Sequence, residues 1–195
     1  MLRLLVLTTL MLSGCTYSTN PIFTEQDNVF DEALIGTWQS VDGILDAGTY
    51  EVTRWAPDDN SYRVVLRNQA EVKQGTFQLY LSQIGRTKFL TGKFEKPRPG
   101  KVGTEELAVP ALYLTYAIDQ LEGDQLKTRQ LRGDWLTMQV KSNPRVLKHE
   151  WHARPGDTEK NDLRLTASTP ELRAFVLSQL DKRDAWMPVT FKKIR

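Results

Sequence analysis

The sequence predicts a mainly β fold, an antiparallel barrel of about ten short strands with one or two short helices. Apolar and polar residues alternate with a period of two through many short segments, which is typical of half-buried strands. Turn residues such as Gly85, Gly123 and Asn60 separate these segments at hairpin spacing. Because short antiparallel strands expose edges unless the sheet closes on itself, we expect a closed barrel.

The first half of the predicted barrel has the clearest alternation. Tyr62, Val64 and Leu66 lie on one face of their segment, and Phe77, Leu79 and Leu81 do so in theirs. A turn at Gly85-Arg86 connects the last two strands of this half. The predicted strands are 36–41, 48–55, 61–68, 75–84 and 87–94.

The second half mixes strands with two helices. A helix is predicted over 170–182, with Thr169 as its N-cap and Pro170 at the first helical position. The segment 134–141 fits a strand or a short helix, and Asp134 as a cap favours the helix. A solvated loop is predicted over 95–103. The predicted strands are 111–119, 125–131, 146–152, 162–167 and 189–194.

Composition excludes several classes of protein. The chain has 195 residues and a formal net charge of +2, so it lacks the clustered basic excess that nucleic-acid binding needs. It has one cysteine and two histidines, which excludes an internal disulfide and a zinc site built from several cysteines. A chain of this length predicts one domain, with at most a small appendage.

The N-terminus predicts a signal peptide. Arg3 is followed by a short apolar run, too short to cross a bilayer, and then by Leu12-Ser13-Gly14-Cys15. This tetrad resembles the bacterial lipobox. The resemblance implies cleavage between Gly14 and Cys15, a diacylglyceryl group on the Cys15 thiol, and acylation of the new amine. Several acyl chains would anchor the protein firmly. The alternative is an ordinary signal peptide with a chance cysteine.

The residues after Cys15 predict the location and a tether. Thr16, where an aspartate would retain a lipoprotein in the inner membrane, indicates by analogy the outer membrane, facing the periplasm. We expect a signal peptide over 1–14, a lipid-anchored flexible tether over 15–30 and the barrel domain over 31–195. A polar segment of this length reaches about 40 Å when extended. Four apolar residues interrupt this polar segment, and we expect them to pack on the barrel, with Phe30 closing its bottom. They are Ile22, Phe23, Val29 and Phe30.

A second resemblance concerns the first strand. Gly36-Thr37-Trp38, after a short turn at 31–34, resembles the Gly-x-Trp signature of lipocalins. In that family the tryptophan closes one end of the barrel, often beneath a basic side chain of the last strand. The resemblance therefore implies a lipocalin-like barrel closed by Gly36 and Trp38. The candidates for the basic partner are Lys192, Lys193 and Arg195.

From the search for catalytic and metal-binding patterns we expect no enzymatic activity, no cofactor and no bound metal. His149-Glu150-Trp151-His152 is one residue short of the zinc-protease spacing, and in a strand only Glu150 and His152 would share a face. We interpret this segment as surface polar residues around a core Trp151. No Gly-x-Ser-x-Gly elbow, phosphate loop or dinucleotide fingerprint is present.

The remaining hypothesis is a binding module. Arg54, Trp55 and Tyr80 are the candidate cavity residues, although tryptophans that fill the core and arginines that face the solvent are the simpler interpretation. We expect a lipid-anchored envelope lipoprotein that binds an apolar or amphiphilic small molecule. The alternative is a structural lipoprotein that presents its loops to an envelope protein and has no ligand.

Overall fold

The computed structural model describes residues 17–41, 48–94, 111–154 and 157–195, without the side chains of 153–161. The predicted signal peptide, Gly14, Cys15 and the predicted loop over 95–103 lie outside these ranges. The described strands are β1 Tyr17–Ser18, β2 Asn28–Val29, β3 Gly36–Ser40, β4 Thr49–Arg54, β5 Ser61–Arg67, β6 Lys73–Ile84, β7 Thr87–Phe94, β8 Leu112–Glu122, β9 Gln125–Leu131, β10 His149–Arg154, β11 Asp157–Leu165 and β12 Trp186–Lys193. The helices are α1 Gly133–Ser142 and α2 Thr169–Ser178.

Eight of these strands close an antiparallel, lipocalin-like barrel. From β3 to β9 each strand pairs with the next, and β12 then lies between β9 and β3. The closed end of the barrel is where β3 begins and β12 ends, at Gly36 and Lys193. The far end is where β3 ends, at Ser40, and where the hairpin 68–72 joins β5 to β6. The predicted mainly β barrel with two helices is confirmed.

The segment between β9 and β12 forms an outer layer. It contains α1, β10, β11 and α2, and β11 pairs through β1 with β8 of the barrel wall. Phe89 and Ala117 on the outer face of the wall are fully buried in a core shared with Trp135, Leu136 and Phe175 of the helices. A second core lies inside the barrel. The wall is thus covered on both faces along this side.

In both helices the observed N-cap residue differs from the predicted one. In α2 the N-cap is Ser168, whose hydroxyl and backbone N–H each bond to Glu171, so the predicted Thr169 is the first helical residue. These bonds hold the pKa of Glu171 below its usual value. In α1 the N-cap is Arg132, and Asp134 lies in the first turn with its carboxylate paired to that guanidinium. The helical alternative at 134–141 is confirmed.

A flexible tether was expected over 15–30, but from Tyr17 onward the structure shows this segment docked on the barrel. β1 and β2 add to the sheet, and Ile22 and Phe23 are buried. Asn20 Nδ2 donates to Ala167 O over 2.9 Å, and Arg173 Nε donates to Ile22 O over 2.9 Å. Polar composition predicted a solvated segment, but Asn20, the Ile22 carbonyl and Asp27 bond to the domain, while residues 24–26 are exposed.

Candidate functional site

The barrel encloses an apolar cavity of about 320 Å³. Period-two alternation turns every second side chain of the barrel strands inward, so the inward residues of several strands meet there. Among the described residues that line it, none carries a charge. The lining consists of Tyr17, Leu34, Trp38, Tyr50, Val52, Val64, Leu66, Phe77, Leu79, Leu90, Gly92, Phe94, Leu114, Tyr116, Leu126, Thr128 and Phe191.

Trp38 forms the floor of the cavity at the closed end. Its ring is 2% exposed, and its Nε1 donates to Leu34 O over 2.8 Å. Lys193 Nζ lies 5.2 Å from the ring centroid and donates to Ala33 O over 2.9 Å. The lysine therefore holds both the ring and the turn that precedes β3, since a cation above an indole face is attracted to it.

Gly36 allows the two terminal strands to meet at this end. Its φ is +136°, and a Cβ there would lie 2.5 Å from Arg195 O and 2.9 Å from Lys193 Cε. The neighbouring Thr37 N donates to Arg195 O over 2.9 Å. Any side chain at Gly36 would thus push the C-terminal residues away from β3.

Tyr62 and Phe30 seal the closed end from below. Tyr62 is fully buried, and its hydroxyl accepts from Asp31 N over 2.6 Å and donates to Asp31 O over 3.1 Å. Burial raises the pKa of Tyr62 to about 12. Phe30 stacks on this ring at 4.9 Å, and the Arg54 guanidinium lies 4.0 Å from the Phe30 centroid. The predicted packing of Phe30 at the bottom is confirmed.

Three aromatic rings line the cavity toward the far end. Phe94 is 4.7 Å from Phe77 and 6.2 Å from Tyr17, measured between centroids. All three side chains are partly exposed, whereas Leu34 and Trp38 at the floor are buried. Among the described residues, the lining is therefore more exposed toward the far end and buried at the floor.

The polar side-chain atoms of the described lining belong to three tyrosines, one threonine and Trp38, whose Nε1 donates to Leu34 O. Thr128 Oγ1 donates to Val189 O over 3.0 Å, so this hydroxyl is already satisfied. Tyr17, Tyr50 and Tyr116 also have interaction partners. The lining therefore suits an apolar chain, because a charged group would lose its hydration there without gaining a counter-charge.

The three residues proposed from sequence for the cavity lie elsewhere. Arg54 packs on Phe30 outside the floor, Trp55 is 44% exposed, and Tyr80 contacts Phe23 of the docked segment at 4.9 Å. None of them is among the described residues that line the cavity. The alternation places Tyr80 on the outer face, since its neighbours Leu79 and Leu81 point inward or are fully buried. Of the five tryptophans, only Trp38 is a described lining residue.

The segment His149-Glu150-Trp151-His152 lies in strand β10, as expected from its alternation. His152 Nε2 lies 3.2 Å from Glu150 Oε2, and His149 packs on Trp151 at 5.9 Å. Trp151 was expected in the core but is 40% exposed, because β10 is an edge strand. Within the described part of the chain, no three His, Cys, Asp or Glu side chains are grouped so as to hold a metal ion.

Tyr17, Phe94 and Phe191 are lining residues that the sequence analysis did not identify. For Phe94, the alternation Leu90, Gly92, Phe94 was an available signal. For Tyr17 no local signal exists, because its place in the wall depends on pairing with distant strands.

Fold and cavity together define a lipocalin-like barrel whose described lining residues are apolar or uncharged. No family model matches the chain, no curated protein matches it, and no solved structure matches it. Among the described residues no helix is both long and apolar enough to cross a membrane.

Proposed function

We propose that this protein is a lipid-anchored lipoprotein of the bacterial envelope whose barrel binds the apolar chain of an amphiphile. The observation that carries the proposal is the uncharged cavity of about 320 Å³. An apolar cavity of roughly 150 Å³ stays dry and binds benzene, and small-molecule pockets start at roughly 300 Å³. A cavity of the present size is therefore large enough for an extended apolar group.

The lining also defines which part of an amphiphile would be bound. A charged headgroup finds no counter-charge among the described lining residues and would stay at the far end, near Tyr17 and Phe94. Only the apolar chain would extend toward Trp38. The proposed ligand is thus an amphiphile with its headgroup in water or at a lipid surface.

The binding experiment uses the uncharged fluorophore N-phenylnaphthylamine as an apolar probe. Val64 is 1% exposed and lines the cavity, so Val64→Trp would fill it, whereas Arg63→Trp changes the neighbouring exposed residue on the outer face. We expect Val64→Trp to weaken probe binding by roughly tenfold and Arg63→Trp to leave it unchanged. Equal affinities in both variants would contradict binding inside the barrel.

A second variant controls for misfolding. Overpacking a core costs roughly 1–3 kcal/mol, so thermal unfolding is measured for each variant. If Val64→Trp does not fold, Leu79→Trp on β6 fills the same cavity from a partly exposed position. Lipid extraction and mass spectrometry of the purified native protein would then identify the natural ligand.

The lipid anchor has a separate test. Cys15→Ser removes the thiol that would receive the diacylglyceryl group, so palmitate labelling and membrane association should both be lost. Unchanged membrane association would contradict the anchor without affecting the proposal for the cavity. An outer-membrane location facing the periplasm would be tested by fractionation of envelope membranes.

The alternative function is that of a structural lipoprotein with an envelope protein as partner. One observation favours it. β10 is the terminal strand of the sheet order, and Trp151 on it and Met138 on α1 are 40% and 57% exposed. Cross-linking in cells that reproducibly traps one protein at this edge, with no ligand in the barrel, would support this alternative.

A further inference from the structure

The position of Tyr17 determines how the chain leaves the barrel. Its strand β1 pairs on one side with β8, where Ser18 lies opposite Tyr113, and on the other side with β11. The Tyr17 side chain lines the cavity and contacts Phe94. The first described residue therefore lies beside the barrel wall, near the end of β8 that lies at the far end of the barrel.

Only one residue, Thr16, separates this strand from Cys15. Consecutive Cα atoms are about 3.8 Å apart, so the two steps from Tyr17 back to Cys15 span at most roughly 8 Å in any conformation. A lipid on Cys15 would begin within that distance of a residue that lines the cavity. No spacer of the kind expected over 15–30 would separate the barrel from the bilayer.

We propose that the far end of the barrel docks on the membrane surface, so that the ligand enters the cavity directly from the lipid. This inference rests on the lipid anchor of the proposed function. The short link requires contact, because acyl chains inserted in the bilayer bring the Cys15 backbone to the interface. The barrel half that carries Tyr17 must then lie at the same interface.

Exposed apolar side chains at the far end support this orientation. Val41 directly follows β3 and is 57% exposed, and Val72 in the hairpin 68–72 is 56% exposed. The exposed Lys73 follows Val72 and lies in register with Arg67 on the neighbouring strand. The exposed Glu71 precedes Val72, and Arg67 pairs with Glu51 over 3.2 Å, so the charges at this hairpin are mixed. The support comes from the exposed valines, which suit an interface where apolar groups insert.

The closed end also has exposed apolar residues, Trp55 and Ile194, each 44% exposed. However, the cavity floor there is sealed by Trp38 and Tyr62, which are 2% and 0% exposed. A membrane at that end would have no path into the cavity. Ile194 therefore serves as the matched control for Val72.

The test uses the full-length lipidated protein in vesicles of phosphatidylethanolamine and phosphatidylglycerol. Val72→Cys or Ile194→Cys is labelled with an environment-sensitive fluorophore, since a thioether-linked Cys15 does not react. We expect the label at position 72 to shift to the blue and to be quenched by nitroxide lipids, and the label at 194 to remain as in water. Quenching only at 194, or at neither position, would overturn the proposal.

The same experiment separates the two proposals. Labelling of the parent protein, which has no added cysteine, would show that Cys15 is free and that the anchor itself fails. If the anchor is present but position 72 is protected by an envelope extract and not by vesicles, the far end binds a protein and membrane docking is wrong.

Transfer kinetics give a second readout. Val41→Asp combined with Val72→Asp should slow probe transfer from vesicles by roughly tenfold or more, because each charge is repelled by the anionic surface. Probe affinity in solution should stay the same, since neither valine lines the cavity. Unchanged transfer rates would count against docking through this end.

Discussion

Lys193 of β12, the last barrel strand, lies over the ring of Trp38 in β3, the first barrel strand, with Nζ 5.2 Å from the ring centroid. The same ammonium donates to Ala33 O over 2.9 Å. At the closed end, one side chain thus joins β12, β3 and the turn before β3. The contact shows how the tryptophan of the Gly-x-Trp pattern in β3 is held by a basic residue near the C-terminus.

Replacing Lys193 with methionine would test this contact. Lys193→Met keeps an apolar stem but removes the charge, and we expect a loss of about 1–2 kcal/mol of unfolding free energy. Lys192→Met is the control, since that side chain is 59% exposed and its nearest acidic partner, Asp124, is 3.9 Å away. Urea unfolding measures both. Equal losses would show that the cation–π contact contributes nothing.

Glycine at position 36 is required by geometry. Gly36→Ala would force its Cβ against Arg195 O at 2.5 Å in a backbone conformation with φ +136°, so we expect a loss of at least about 2 kcal/mol. Gly75→Ala in β6 is the control, because nothing lies within 4 Å of its Cβ, and it should be neutral or stabilising. Thermal unfolding compares the two variants. A Gly36→Ala variant as stable as the parent protein would contradict the close approach of Arg195 O to position 36.

Tyr62 should make the fold sensitive to high pH. Its pKa is raised by burial from 10.0 to about 12, so the stability gained by keeping the phenol neutral is fully present below pH 10 and is lost as the pH rises through about 12. Each pKa unit corresponds to about 1.4 kcal/mol. Tyr62→Phe should be less stable at neutral pH, and its deficit should shrink toward pH 12. A constant loss of stability across this pH range would show that ionisation of Tyr62 is not coupled to unfolding.

Asp27 should hold the docked N-terminal segment in place. Burial acts to raise its pKa, but hydrogen bonds from Thr24 and the paired Arg173 guanidinium hold the pKa below its usual value. Its contribution is therefore present above the ordinary carboxyl pKa and is lost as pH falls through the lowered value. Asp27→Asn should increase hydrogen exchange over 17–30 at neutral pH. Glu25→Gln, at an exposed neighbour, should not.

Local pattern predicted most of the barrel. The strand predicted over 87–94 matches β7, and 125–131 matches β9, because alternation and turn residues act within a few positions. The helix α1 was predicted despite an alternating pattern, since its buried Trp135, Leu136 and Val140 also share one helical face. For such elements the local signal and the tertiary environment agree.

The candidate site was less predictable. Alternation assigns residues to two faces of a strand, but closure of the sheet decides which face is the interior. Arg54, Trp55 and Tyr80 were proposed from residue type, and the structure places them around the outside. Tyr17, in contrast, lines the cavity although its segment is polar.

By itself, the sequence determined the strands, the glycine that admits the closed end, and the tryptophan that forms the floor. The strands depend on alternation within a few residues. Gly36 and Trp38 were identified by the resemblance to the Gly-x-Trp signature, and their contacts with Arg195 and Lys193 are distant in sequence. Only the tertiary structure decided that the segment 17–30 adds strands to the sheet, that the described residues lining the cavity carry no charge, and that Tyr17, two residues after Cys15, lies beside the barrel wall. These depend on pairing between residues as distant as Tyr17 and Arg164, which no local pattern records.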